Sequence, residues 1–273
     1  MRDDFRATAL QTRAPARPDL EPRPHGTPLA PVFPIELFSK CARCEARGAG
    51  LCDAVPDEDL ARLSSAATRI HIEPGQRFIE EGDEAGHFFT LTSGTAKLLK
   101  LLPDGRQQIT SFADAGDFLG LAVTTAYSYT AEAVGPVDLC RFPRTRLRGL
   151  MTEFPAMEKR LLQYTSHELV LAQEQMLLLG RKSAIERVAS FFVTRARKTG
   201  LCPTRGNPAG PITIALPMTR IDIADYTGIT VETVSRTITR LKRDNLIATA
   251  PGSSIIVRNF PALEDLASGG AAL

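Results

Sequence analysis

Between Arg69 and Phe142 the chain is cut by turn-forming residues at six places: Pro74-Gly75, Gly82-Asp83, Ser93-Gly94, Pro103-Asp104-Gly105, Gly116-Asp117 and Gly135-Pro136. The intervals are too short for helices. Runs such as Phe88 to Thr92, Thr95 to Leu102, Gln107 to Phe112 and Val137 to Phe142 are rich in β-branched, aromatic and other apolar residues and read as strands. Short strands joined by tight turns pair antiparallel, so residues 55–150 are predicted to form an antiparallel double-sheet β-roll. Ahead of it, Pro56-Asp57-Glu58-Asp59-Leu60 opens a short helix, with acids where the positive end of the helix dipole favours them.

The rest of the chain changes period. From Pro155 to about Gly180 there is no internal Gly or Pro, and Leu162, Leu169, Ala172, Met176 and Leu179 fall at heptad a and d positions, with Thr165 the polar exception. This predicts a dimerisation helix within 151–181. A helix lying on its own core is the alternative. A second helix from Ser183 to Lys198 carries a capping box in Ser183 and Glu186. Ile212 to Leu216 alternates like a strand. Thr219 then caps a helix to Tyr226, Thr227-Gly228-Ile229 makes a tight turn, and Thr230 caps a helix to about Asn245. This is a helix-turn-helix, and the hairpin signal Pro251-Gly252 adds a wing. The predicted fold is α+β: a disordered tail over 1–37, where Pro is concentrated, a cysteine-rich loop over 38–54, the β-roll, the long helix, a winged helix-turn-helix over 182–262, and a flexible tail over 263–273.

Cys41, Cys44 and Cys52 lie within twelve residues, and Cys140 sits in a predicted strand far downstream. Four thiolates converging on one point are metal chemistry. No His accompanies them, and the remote fourth Cys departs from the paired C-x2-C pattern of a zinc ribbon, so iron–sulfur ligation leads, with zinc and plain buried thiols as alternatives. Lys40, Arg43, Arg47, Gly48 and Gly50 predict a polar, open loop whose cations lower the thiol pKa. Five cysteines, an odd number, fit a reduced compartment with Cys202 as the spare. With no long apolar run and a charged, Pro-bearing start, the expectation is a cytoplasmic protein with no membrane segment.

Net charge is +2 overall, but it divides unevenly. Asp53 to Leu150 carries 14 acidic and 10 basic residues, or −4, whereas Gly180 to Phe260 carries 5 acidic and 13 basic, or +8. The basic half suggests a polyanion such as double-stranded DNA. On the second helix of the motif, Glu232, Ser235 and Arg236 share an exposed arc at i, i+3 and i+4. Arg236 suits the O6 and N7 of guanine, Glu232 a cytosine amino group, and Ser235 a base edge or a phosphate. Arg220, Arg240, Lys242 and Arg243 suit phosphates, and Val234, Ile238 and Leu241 the buried face. An intrahelical Glu232–Arg236 salt bridge is the bland alternative for that pair.

Taken in order along the chain, four features resemble the CRP/FNR superfamily of bacterial transcription regulators, and specifically its fumarate and nitrate reduction regulator branch. They are the cysteine set, Gly75-Gln76 with Gly82-Asp83 and Ser93-Gly94-Thr95, the helix ending Gln175-Met176-Leu177-Leu178-Leu179, and Thr230-Val231-Glu232-Thr233-Val234-Ser235-Arg236. The resemblance covers about residues 38 to 260. It implies a 4Fe-4S cluster on Cys41, Cys44, Cys52 and Cys140 that stabilises a homodimer in the absence of oxygen. It also implies reading of an inverted repeat of the TTGAT…ATCAA type by Glu232, Ser235 and Arg236, and a contact with RNA polymerase through a loop such as that at Asp104-Gly105. FixK-like members that act without a cluster are the alternative within the family.

Other functions fit less well. A cyclic-nucleotide receptor needs a cation for the cyclic phosphate, and no basic residue occurs from Leu121 to Ala133 after Gly116-Asp117-Phe118-Leu119-Gly120. A haem sensor could use His71, His87 or Cys140 but leaves the clustered cysteines without a role. No nucleophile elbow, Walker loop or HExxH is present, so no enzyme is expected.

Overall fold

The computed structural model describes residues 41–122, 124–198 and 210–270. The predicted tail over 1–37, the first residues of the cysteine loop and Cys202 lie outside the described residues. After a 3-10 turn at Asp57–Asp59, helix α1 (Leu60–Ala66) leads into eight strands: β1 (Thr68–Ile72), β2 (Arg77–Ile79), β3 (His87–Ser93), β4 (Thr95–Leu101), β5 (Gln107–Asp114), β6 (Phe118–Leu119), β7 (Thr130–Ala133) and β8 (Val137–Pro143). They form two antiparallel four-stranded sheets, in the orders β1-β8-β3-β6 and β2-β7-β4-β5. Helices α2 (Arg144–Glu153), α3 (Pro155–Arg181) and α4 (Ala184–Lys198) follow, then strand β9 (Ile212–Ala215) and the pair α5 (Arg220–Thr227) and α6 (Val231–Arg243). The hairpin β10 (Ile247–Ala250) and β11 (Ser254–Val257) joins β9 in a three-stranded sheet, and α7 (Phe260–Ala267) closes the chain.

The two-residue period of the strands builds two cores from one sheet. In β8, Val137 and Leu139 point inward with Phe89 and Leu91 of β3, filling the space between the sheets. The alternate residues Cys140 and Phe142, with Phe88 of β3, point to the outer face. That face is also buried, under α1, α2, the start of α3 and the cysteine loop, through Leu60, Leu63, Leu147, Met151 and Met157. A third core joins α4, α5, α6, α7 and the wing, and it reaches into the roll through Leu99, Ile109 and Phe112.

Polar side chains clamp the helix-turn-helix unit onto the roll. Lys97 of β4 lies 2.9 Å from Glu132 and 3.0 Å from Asp222 of α5. Gln108 donates to the carbonyl oxygens of Asp225 and Tyr226 at 2.6 and 3.1 Å. Asp114, at the end of β5, accepts both Arg195 nitrogens at 2.7 and 3.2 Å, while Lys198 lies 3.1 Å from Asp114 and 3.0 Å from Asp117.

Two sequence expectations are corrected. Residues 263–273 are not a tail from their start: Asn259 caps α7, and Leu263, Leu266 and Ala267 are buried against α4. Pro261 sits in the first turn of α7, where its missing N–H costs nothing, so it begins a helix instead of ending the domain. Part of the basic excess also faces inward, since Arg195 and Lys198 are engaged by the roll's own carboxylates.

Candidate functional site

The cysteine loop winds through successive i to i+3 backbone hydrogen bonds, Cys44 to Cys41, Arg47 to Cys44 and Gly50 to Arg47, followed by a 3-10 turn at Leu51–Ala54. At three residues per turn, the x2 spacing sets Cys41 and Cys44 on one side of the winding. Gly50 and Gly116 fix where the loop lands. A Cβ on Gly50 would lie 2.8 Å from the Gly116 carbonyl oxygen, and one on Gly116, whose φ is +98°, would lie 2.7 Å from the Ala49 Cβ. This close approach brings the loop onto the outer sheet face, where β8 presents Cys140.

Cys41, Cys44, Cys52 and Cys140 therefore line one cavity that opens to solvent at its mouth. Its exposed walls are almost wholly apolar and include Leu60, Leu63 and Phe142, with Arg47, Arg69 and Thr90 also lining it. The expectation of an open loop with acidic thiols is corrected. Ala46, Gly50 and Leu51 are buried, and all four cysteines are partly buried. Burial first, then the neighbouring sulfurs, push the Cys52 thiol up to about 12 against the opposing pull of Arg47. Cys140 is raised by burial as well, opposed by Arg69. Desolvation outweighs the cations, so ligation here needs the positive charge of a metal centre.

Among the described residues no three Cys, His, Asp or Glu side chains converge tightly enough to hold one metal ion. Tetrahedral zinc at about 2.3 Å from each sulfur needs the sulfurs roughly 3.8 Å apart, whereas a multinuclear centre accepts thiols spread around a cavity. Neither His71 nor His87 lines the cavity. His71 is exposed at the surface, its Nδ1 2.7 Å from Asp138.

The helix-turn-helix is locally self-determined. Thr219 and Asp222 cap α5 reciprocally, Gly228 takes φ +64° in the turn, and Thr230 accepts from the Thr233 N–H at the start of α6. Val234, Ile238 and Leu241 are buried, and the opposite face presents Glu232, Ser235, Arg236 and Arg240 to solvent, with Arg220 exposed on α5. Arg236 and Glu232 pair at 2.6 Å across one turn, both more than 70% exposed. At that exposure the pair contributes little to stability, and its partners remain available to a groove.

On α3 the predicted seam is mostly exposed: Leu162 68%, Leu169 60% and Met176 69%, with Ala172 also exposed. Leu161, Tyr164, Leu171 and Leu178 instead face the chain's own body. Leu179 departs from the prediction. It is half-buried beside Gly228 at the helix-turn-helix turn, where Arg187 also bonds the Leu179 carbonyl. Sequence periodicity did not mark the contribution of Thr90, Arg69 and Gly116 to the cysteine site. Only Gly116-Asp117 carried a signal, as a turn.

Residues 69–154 match the cyclic nucleotide-binding domain family and residues 186–266 the Crp-like helix-turn-helix domain family. The chain is 40% identical over 225 residues to the transcriptional activatory protein AadR of Rhodopseudomonas palustris, covering 81% of this chain and 90% of that one. It is 35% identical over 227 residues to the transcriptional activator protein FnrL of Cereibacter sphaeroides, covering 83% and 91%. The structure of FixK2 from Bradyrhizobium japonicum superposes with a TM-score of 0.66 at 32% identity, covering 76% of this chain and 98% of that one.

Proposed function

Because the chain belongs to the CRP/FNR family of transcription regulators, of the FixK and FnrL type, we propose that it is an oxygen-responsive member that holds a 4Fe-4S cluster and binds an inverted repeat as a homodimer. The observation that carries this reading is the gathering of Cys41, Cys44, Cys52 and Cys140 on one cavity from a loop and a strand far apart in sequence. The donor set fits such a cluster: four sulfurs, no imidazole, largely apolar walls, and a spread wider than one ion requires. When bound, the cluster would supply an oxygen-labile link between the loop and strand β8.

The chain's own residues connect that link to DNA. Cys41, Cys52 and Cys140 pack in the same apolar cluster as Phe154, Leu161 and Tyr164 of α3 and the residue before it. Arg160 of α3 donates to the Ala49 carbonyl oxygen at 3.4 Å. Securing the loop thus orders the first half of the helix whose exposed stripe faces a second copy. A coupling of about 1–3 kcal/mol there changes DNA affinity about 5- to 150-fold. Glu232, Ser235 and Arg236 read base edges, Arg220 and Arg240 hold phosphates, and the hairpin tip at 102–106, with Leu102 48% exposed, meets RNA polymerase.

A cluster-independent, FixK-like regulator is the second reading, favoured by the raised Cys52 and Cys140 thiols, which in metal-free protein stay protonated and pack as small apolar groups. Reconstitution with ferrous iron and sulfide under argon decides between them. About four irons and four sulfides per chain with broad visible absorbance support the cluster. Colourless protein, with or without stoichiometric zinc, supports the second reading.

A further inference from the structure

Two buried polar atoms in the wall of the cysteine cavity have no hydrogen-bond partner among the described residues: the hydroxyl oxygen of Thr90 and the Nε of Arg47. Thr90 is 3% exposed and stands directly across from Cys140 in the β3–β8 pairing. Nη2 of Arg47 is engaged twice, through a 3.0 Å bond to the Val55 carbonyl oxygen and a 2.7 Å ion pair with Asp57, so the guanidinium is anchored while Nε is left over. Its charge also acts on the Cys52 thiol. An orphaned buried hydroxyl or N–H costs free energy that folding normally avoids, and both residues line the same cavity.

We infer that Thr90 and Arg47 are hydrogen-bond donors to an anionic sulfur-rich centre held by the four cysteines, positioning residues that retain it. The inference rests on the cluster reading above. Four thiolates around a 2+ core leave a net charge of about −2, concentrated on sulfur, which accepts hydrogen bonds from O–H and N–H donors. Thr90 reaches it from β3, directly across from Cys140 of β8, and Arg47 from the loop that carries the other three cysteines. The chemistry asks for a donor on each side, and Val at position 90 would give equal shape without one.

Opposite signs in two states of the protein test this. Thr90→Val replaces an unpaired buried hydroxyl in the metal-free chain, so its melting temperature should rise by about 2–4 °C. In the loaded chain it removes a bond, and the melting temperature should fall by a similar amount. Iron loss to a chelator under argon should be about ten-fold faster or more, as expected for an outer partner of a metal site, and Arg47→Lys, which keeps the charge but lacks Nε–H, should move it the same way. Thr90→Ser should restore wild-type iron retention. Equal shifts in the two states, or unchanged iron loss in both variants, would show that these residues only fill space. Wild-type protein that takes up no iron is scored first and separately, because it removes the cluster reading itself.

Discussion

At the scale of single residues, the reading head and the sensor differ in what fixes them. Among the described residues Arg236 pairs with Glu232 one turn away, both exposed, and its proposed role is to read a base edge. Arg236→Ala should therefore leave folding intact and cost about 1–3 kcal/mol at the inverted repeat, with little change on scrambled duplex of the same length, in a fluorescence-anisotropy titration at fixed salt. An equal loss on both duplexes would make Arg236 a phosphate contact. The helix-turn-helix and its exposed face were legible in the sequence because capping, turn and helix period are local. The thiol chemistry was not: Arg43 and Arg47 suggested acidic thiols, yet burial dominates at Cys52, and burial depends on Gly50 meeting Gly116 across the fold.

At the scale of elements, α4 and the turn after β5 form a charged joint between sensor and reader. Burial raises the Asp114 pKa, but Lys198, Arg195 and the bonds from Arg195 and Thr95 outweigh it and hold the carboxyl below its usual range. A carboxylate depressed in the folded state contributes stability above its unfolded pKa of about 3.9 and loses that contribution as pH falls through the lower folded value. Urea denaturation of wild type should accordingly show a loss of stability on acidification below about pH 4 that is smaller in Asp114→Asn. Parallel acid limbs in the two proteins would place the titrating groups elsewhere. The strands and helices that meet at this joint were legible from turn residues and period. Their pairing across the chain was not, since Asp114 and Lys198 carry no mutual signal in the sequence. Helix α7 was missed: a flexible tail was expected from residue 263, which lies inside it.

At the scale of the whole molecule, two surfaces and one cavity have to act together. The exposed Leu162, Leu169 and Met176 leave a long apolar stripe on α3 that a second chain would cover, while the same helix's other side packs into the apolar cluster that holds Cys41, Cys52 and Cys140. The reading helix α6 is carried on a unit clamped to the roll by Lys97, Gln108 and Asp114. In the proposed function, order gained at the cysteine loop would pass to the stripe and to the placement of two α6 helices on one duplex. The sequence pattern marked each part separately, and the sharing of α3 between the apolar cluster around the cysteines and the exposed stripe emerged only from the packing. The most direct measurement is the affinity of a single preparation for the inverted repeat, first loaded with iron and sulfide under argon and then stripped with a chelator. Stripping should weaken binding by about one to two orders of magnitude and shift the protein towards monomer. Unchanged affinity and unchanged mass after all iron has been removed would contradict control of DNA occupancy by the cysteine site.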